Sequence, residues 1–110
     1  MKELNIKMPE LTGSEKQIAW AKDIRADFLA NADGLVANAE RWEARGDKYS
    51  VRYYITEQYT TSAELEEIRE KLYALIAGIS SAAKIIDYRN NLTYDAVQKI
   101  AGAELHKKRK

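Results

Sequence analysis

The hydrophobic positions follow a helical period over the first part of the chain. After Ser14, apolar residues recur at every third or fourth position, and the phase is kept through Gly34, where Asn, Asp and Gly would otherwise favour a loop. Ser14 and Gln17 have the spacing of a capping box, and Gly46 is a typical helix stop. We therefore predict one long helix from about Ser14 to Arg45, with Gly34 as the place for a kink.

The same period returns in the second half of the chain. Thr61 and Glu64 repeat the capping-box spacing, and the apolar stripe that follows continues to Ile86. The glycine and serines at 78–81 could divide this helix, but the stripe keeps its phase through them. The pattern therefore predicts a second long helix, followed by a C-terminal helix that begins after Thr93 and folds back onto the apolar surface.

A two-residue period replaces the helical one between residues 47 and 60. Apolar and polar residues alternate there, as in a half-buried strand, and the amino-terminal residues 4–8 alternate in the same way. The two segments together favour a small two-stranded β ribbon. An irregular or helical connection at 47–60 is the alternative. The alternating apolar positions are Leu4, Ile6, Met8, Tyr49, Val51, Tyr53 and Ile55.

These patterns predict a mainly α fold, an antiparallel bundle of two long helices and a C-terminal helix, with the small β ribbon as an addition. At 110 residues the chain has the size of one domain with one core. We expect residues 1–13 to form an extended arm and residues 106–110 a frayed basic tail. A homodimer, formed through the strand or the helices, stays open.

Charge and composition exclude several classes of protein. The chain has 18 basic and 17 acidic residues, a net charge of +1, which is too balanced for a strong general attraction to phosphates. It has no cysteine, so neither disulfides nor thiolate sites are available. We find no apolar run long enough to span a membrane and no signal peptide, and we therefore expect an intracellular protein that does not contact membranes.

The residues that enzymes need are largely missing from the sequence. The single histidine, His106, lies in the basic tail, and the five glycines are scattered rather than gathered in a phosphate-binding loop. The carboxylates of the second long helix alternate with Arg69 and Lys71, which is typical of a solvated face. We expect no catalytic residues, no cofactor and no metal site.

Charged and aromatic residues near the start of the first helix are candidates for binding. Arg25 lies in the middle of the apolar stripe, where a guanidinium needs a partner, and we expect an ion pair with Asp87 rather than contact with a ligand. Trp20 and Trp42 lie at the edges of the stripe, which favours burial in the core. Lys16 and Gln17 belong either to the first turn and its cap or to a binding site that includes Trp20.

A second candidate for binding is the cluster of tyrosines in the alternating segment. Tyrosine offers a large contact area at a low entropy cost, so the cluster suits a protein-binding surface or the stacking of bases. Packing within a strand explains the same pattern equally well. The members that we take as candidate binding residues are Tyr49, Arg52, Tyr53 and Tyr54.

The run from Leu11 to Arg25 resembles the opening motif of small, largely uncharacterised proteins of phages and integrative elements, which reads Leu-x-Gly-Ser-Glu-Lys-Gln-Ile-x-Trp-Ala-x-x-Ile-Arg. Every fixed position of that motif is matched here. A second segment, Ser81–Arg89, is similar to a family segment with Ser-Ala-Lys, two aromatic residues and Ile-Asp-Asn-Arg, although this chain inserts an alanine and has isoleucines and Tyr88 at the differing positions. The resemblance implies an accessory protein of a mobile element, in the cytoplasm of a bacterial host, and it assigns no catalytic residue.

Three classes of function fit these observations. The first is a non-enzymatic protein that binds a host protein, for example an inhibitor of a defence nuclease or of its nucleic-acid complex, comparable to an anti-CRISPR protein, acting by surface occlusion. The second is a nucleic-acid-binding accessory protein in which Lys16, Lys22 and Arg25 contact phosphates beside Trp20. The third is a structural helical homo-oligomer. The near-zero net charge favours the first class.

Overall fold

The protein is helical throughout the part of the chain that its structure, a computed structural model, describes, residues 1–46 and 60–108. The helices follow the order α1, Glu15–Ala44; α2, Ser62–Ala77; α3, Ala82–Asp87; a single 3-10 turn, Arg89–Asn91; and α4, Tyr94–Lys108. The two long helices α1 and α2 pack together, and α3 and α4 pack against α1. This architecture confirms the predicted bundle of two long helices and a C-terminal helix.

The first helix forms as its sequence predicts. The Ser14 hydroxyl accepts from the Gln17 N–H at 3.2 Å, and the Gln17 side chain accepts from the Ser14 N–H at 3.1 Å, so that both halves of the capping box are present. The helix continues through Gly34 for 30 residues, about 45 Å, and it is followed by Gly46 at a φ of +80°. The predicted start and stop are therefore confirmed.

The prediction of one uninterrupted second helix to Ile86 is wrong. Helix α2 ends at Ala77, and α3 starts afresh at Ala82 with Ser81 as its N-cap. The cause lies far away in sequence, because the Thr12 N–H donates to the Ser80 carbonyl at 2.8 Å and the Ala82 N–H donates to the Thr12 carbonyl at 2.9 Å. The amino-terminal segment thus occupies backbone groups that a continuous helix would have needed for itself.

The carboxyl-terminal helix also follows its local signals. The Thr93 hydroxyl accepts from the Ala96 N–H at 3.3 Å, which makes Thr93 the predicted cap of α4. The expected frayed tail is wrong for the residues described, because α4 remains helical to Lys108. Lys108 lies across from α2 and donates to Glu67 at 2.7 Å, so this end of α4 is held by ion pairing.

The predicted β ribbon is not supported. Residues 4–8 form no strand, and the single β-bridge among the described residues joins Thr12 to Ser81. The partner strand expected at 49–55 lies outside the described residues. The backbone of the arm is instead tied to side chains of α2, since the Lys2 N–H donates to Glu66 at 2.9 Å and the Lys2 carbonyl accepts from Arg69 at 2.7 Å.

The core lies between α1 and the three later helices. Its members come from every helix and from the arm, so that no described helix stands apart from it. Within residues 1–46 and 60–108, none of the helices combines the length and the apolar composition that a membrane crossing requires. The largest fully buried side chains are Phe28, Leu65, Leu72, Ile76, Ile85, Leu105, Val36 and Val97.

Candidate interaction surface

Most of the motif at the start of α1 is used to build the fold. Leu11 is buried, and Thr12 makes the bridge to the start of α3. Gly13 has a φ of +143°, and a Cβ there would lie 2.9 Å from Oε1 of Gln17, so that this position requires glycine. Gln17, predicted as a binding residue, spends its side-chain oxygen on the N–H of Ser14 and therefore has a capping role in this structure.

The predicted ion pair between Arg25 and Asp87 is wrong. The half-buried Arg25 donates through Nη1 to the carbonyl of Pro9 at 2.9 Å, while Asp87, at the end of α3, is exposed and forms no ion pair with it. The amino-terminal arm passes closer to this part of α1 than the end of α3 does. A neutral carbonyl, which needs little desolvation, thus replaces the expected carboxylate as the partner of the guanidinium.

The expectation that both tryptophans belong to the core is also wrong. Trp20 is 50% exposed and Trp42 is 40% exposed. The centre of the stripe on α1 is filled by completely buried alanines, including Ala21, Ala32 and Ala39, which let the neighbouring helices approach closely. The larger indoles at the edges of the stripe therefore remain outside the contact between the helices.

Each exposed indole lies beneath an arginine. The guanidinium carbon of Arg89 is 5.3 Å from the centroid of the Trp20 ring, and that of Arg45 is 5.2 Å from the centroid of the Trp42 ring. Both distances are within the range of a cation–π interaction. The arginines thus order the indoles without burying them.

The surroundings of Trp20 form the strongest candidate for an interaction surface. Lys16 lies one turn before Trp20 on the exposed side of α1, and Tyr88, which is 48% exposed, directly precedes Arg89. We call Lys16, Trp20, Tyr88 and Arg89 the Trp20 surface. The two segments that resemble the phage family, 11–25 and 81–89, meet in this surface, since Arg89 belongs to one and Trp20 to the other.

The charge around the Trp20 surface is mixed. Asp23 and Asp27 are exposed and lie seven and eleven residues after Lys16, which places all of them on one face of α1 with Trp20. Two carboxylates beside the indole repel phosphates but allow hydrogen bonds and ion pairs with a protein. The remaining predicted binding residues, Tyr49, Arg52, Tyr53 and Tyr54, lie outside the described part of the chain.

A buried arginine that the sequence analysis did not single out ties the arm to both long helices. Arg69 is only 6% exposed, and it donates through Nε to Asp33 at 2.7 Å and through Nη1 to the Lys2 carbonyl at 2.7 Å. Tyr73 donates its hydroxyl to the same Asp33 oxygen at 2.7 Å. Burial, and then the negative charge of Asp33, raise the pKa of the Tyr73 phenol. The position of Arg69 among Leu65, Ile68 and Leu72 was a signal that could have revealed it.

Other features of the described residues hold helices together. Glu43 accepts from both the N–H and the hydroxyl of Ser62 at 2.7 Å, and these bonds lower the pKa of its carboxyl group. A groove of about 440 Å³ between α2 and α4 is crossed by the ion pairs Lys71–Glu104 and Lys108–Glu67. In residues 1–46 and 60–108, no group of three or more histidine or acidic side chains is arranged to hold a metal ion.

Comparison with known proteins adds no relative: no family model, no curated protein and no solved structure matches this chain significantly. The interaction surface therefore rests on the geometry of its own residues.

Proposed function

We propose that this chain is a non-enzymatic binding protein that uses the Trp20 surface to occupy a site on another protein. The half-exposed Trp20 ring beneath the Arg89 guanidinium carries the proposal. Capping and packing explain most other residues of the motif, but they do not require an indole on the outside of α1. In keeping with the resemblance to proteins of phages and integrative elements, the proposed partner is a bacterial host protein, such as a defence nuclease that the binding inhibits by surface occlusion.

The composition of the Trp20 surface supports binding to a protein. Tryptophan, tyrosine and arginine are the residues in which the binding energy of protein interfaces is concentrated. Arg89 is held in place by a second contact, since its Nη1 donates to the Ile86 carbonyl at 2.8 Å. A side chain that is ordered before binding loses less entropy when the complex forms.

The surrounding charge disfavours nucleic acid as the partner. Asp23 and Asp27 lie on the same face of α1 as Trp20, and the whole chain has a net charge of only +1. Binding to nucleic acid draws most of its non-specific free energy from the neutralisation of phosphates. A surface in which lysine and arginine alternate with aspartate is better suited to the mixed charges of a protein.

Affinity capture from a bacterial host lysate, with and without nuclease treatment, tests the proposal. Trp20→Ala is compared with Leu75→Ala, which removes another large apolar side chain that is 53% exposed but lies on α2. We expect a nuclease-resistant protein to be retained by the wild type and by Leu75→Ala. Trp20→Ala should bind it at least about thirtyfold more weakly, the effect of losing about 2 kcal/mol at a hot spot.

Two results would contradict the proposal. The first is equal retention of the partner by Trp20→Ala, provided that its melting temperature matches that of the wild type. The second is loss of all bound material after nuclease treatment, which would indicate nucleic acid instead. If the captured protein is a nuclease, its cleavage rate should fall on addition of the wild type and not on addition of Trp20→Ala.

A further inference from the structure

A second exposed tryptophan borders a small cavity near the carboxyl end of α1. The cavity has a volume of about 140 Å³ and is lined by Asn38, Arg41, Trp42 and Arg45. Liquid water occupies about 30 Å³ per molecule, so the space equals roughly four to five waters and can hold one small polar head group. Its lining combines two guanidinium groups with one indole and one amide.

Both guanidinium groups are held by neutral partners. Arg41 donates through Nη2 to Oδ1 of Asn38, and Arg45 lies over the Trp42 ring at 5.2 Å. Neither contact neutralises the positive charge, whereas an ion pair with a carboxylate would do so. Among the described residues, Arg41 and Arg45 make no ion pair.

The acidic residues in the same turns of α1 are engaged elsewhere. Glu40 pairs with the amino-terminal ammonium group of Met1 at 3.3 Å. Glu43 accepts from Ser62 at the start of α2, at 2.7 Å through each of its oxygens. The carboxylates that could have neutralised the arginines therefore bind the arm and α2, which leaves a local excess of positive charge at the cavity.

The orientation of Arg41 is supported from a different helix. Tyr94, the first residue of α4, accepts through its hydroxyl from Nδ2 of Asn38 at 2.8 Å, and this bond leaves Oδ1 of Asn38 for Arg41. The relay from Tyr94 through Asn38 to Arg41 fixes a donor at the edge of the cavity before any ligand arrives. A fixed donor gains binding energy at a smaller entropy cost than a free side chain.

We infer that this cavity binds a carboxylate side chain, an aspartate or glutamate, of a partner protein. Arginine presents paired N–H donors that match the two oxygens of a carboxylate, and two arginines beside one cavity can contact both oxygens. The indole of Trp42 offers an apolar wall for the methylene groups of the same side chain. The inference rests on the proposed function only in taking the natural ligand to be a protein.

The carboxylate is favoured over the phosphates of a nucleic acid by the rest of the same helix. A nucleic acid would extend its negative charge along α1, where Asp23, Asp27 and Glu40 are exposed. A single acidic side chain places negative charge only at the cavity. Phosphate and oligonucleotide probes therefore serve as the alternatives in the test.

The test is a fluorescence titration in the full chain with Trp20→Phe, which leaves Trp42 as the only tryptophan of the two that the sequence contains. The probes are hexaglutamate, inorganic phosphate and a twelve-nucleotide oligothymidylate. We expect hexaglutamate to change the Trp42 emission saturably and to bind more tightly than the other two probes. In Arg41→Gln with Arg45→Gln, its affinity should fall at least about tenfold, which corresponds to about 1.4 kcal/mol.

Two control variants separate the cavity from a general effect of charge. Lys22→Gln with Lys84→Gln removes the same number of positive charges at exposed positions of α1 and α3, and it should change the affinity less than about twofold. Arg41→Lys with Arg45→Lys keeps the charge but removes the paired donors, and it should give an intermediate loss.

The inference is overturned if the lysine control weakens hexaglutamate binding as much as the arginine variant does. It is also overturned if phosphate or the oligonucleotide binds more tightly, or if the Trp42 emission does not respond. The two proposals fail separately, because this titration uses a chain without Trp20 and needs no natural partner.

Discussion

Replacing Arg69 by methionine tests whether the arm and the two long helices are held together by one buried guanidinium. Methionine retains much of the length and apolar character of the side chain, so the change removes charge and hydrogen bonds more than packing. The substitution deletes the bonds to Asp33 and to the Lys2 carbonyl, both at 2.7 Å, and the contact with Glu66 at 3.2 Å. It also removes the stacking of the guanidinium on Tyr73 at 5.0 Å.

The expected loss follows from what the partners of Arg69 can do without it. Removing one member of a buried ion pair costs about 3–5 kcal/mol, because the other charge is left without a partner. Asp33 is 36% exposed and keeps the hydrogen bond from Tyr73, so water and the phenol replace part of what is lost. We therefore expect a loss at the lower end, about 3 kcal/mol, which corresponds to a fall in Tm of roughly 10–20 °C.

Urea unfolding followed by circular dichroism measures this loss, with Lys71→Met as the matched control. Lys71 lies on the same helix and its ion pair with Glu104 is 3.2 Å long, but its side chain is 68% exposed, so its replacement should cost less than about 0.5 kcal/mol. A double-mutant cycle of Arg69→Met with Asp33→Asn should give a coupling of about 1–3 kcal/mol. If Arg69→Met costs no more than Lys71→Met, the guanidinium does not hold these elements together.

Three further changes test the local structure, each by the free energy of unfolding in denaturant. Gly13→Ala should cost about 1–3 kcal/mol, because its backbone conformation suits only glycine and the new Cβ meets Gln17 at 2.9 Å; a neutral result would contradict the assigned conformation. Gly34→Ala should instead stabilise α1 by about 0.5–1 kcal/mol, because the new Cβ has ordinary contact with a ring 3.5 Å away, and destabilisation would argue against an unbroken helix. Glu43→Gln should destabilise the fold near neutral pH by about 1 kcal/mol through weaker bonds to Ser62. The pKa of Glu43 is lowered in the folded state, so its contribution is present above the unfolded pKa and is lost as the pH falls through the folded pKa. The difference between Glu43→Gln and the wild type should therefore shrink between about pH 5 and pH 3, and a difference that is constant with pH would contradict the assigned bond.

The candidate site could be predicted from the sequence only in part. Trp20 and Lys16 were singled out correctly as residues of an unusual motif, and the structure places both on the exterior beside Arg89. Arg89 and Tyr88 were not recognised as their neighbours, because the contact joins residues almost seventy positions apart in the chain. A single sequence gives no signal for such a contact.

The same limit explains the two wrong predictions about buried side chains. Periodicity places a residue at an angle on a helix, but it does not show how closely the neighbouring helix approaches. Buried alanines bring the helices together around α1 and leave both tryptophans outside, and the arm brings the Pro9 carbonyl to Arg25. Both outcomes depend on elements that are not local to these residues.

The sequence by itself determined the features that depend on neighbouring residues. The capping box of Ser14 and Gln17, the stop at Gly46 and the cap at Thr93 are formed by groups within four positions of one another, so their free energies hardly depend on the remaining fold. The apolar stripes likewise determined which helices would pack together.

Only the tertiary structure decided the features in which distant groups compete for the same backbone or side-chain partner. The break between α2 and α3 exists because Thr12 takes the backbone bonds beside Ser81, although the apolar stripe continues in phase across it. The Trp20 surface arises in the same way, since α3 brings Arg89 over an indole that the first helix leaves exposed. Short-range hydrogen bonds and side-chain periodicity are encoded in adjacent residues, whereas the choice among competing long-range partners is made when the helices and the arm pack.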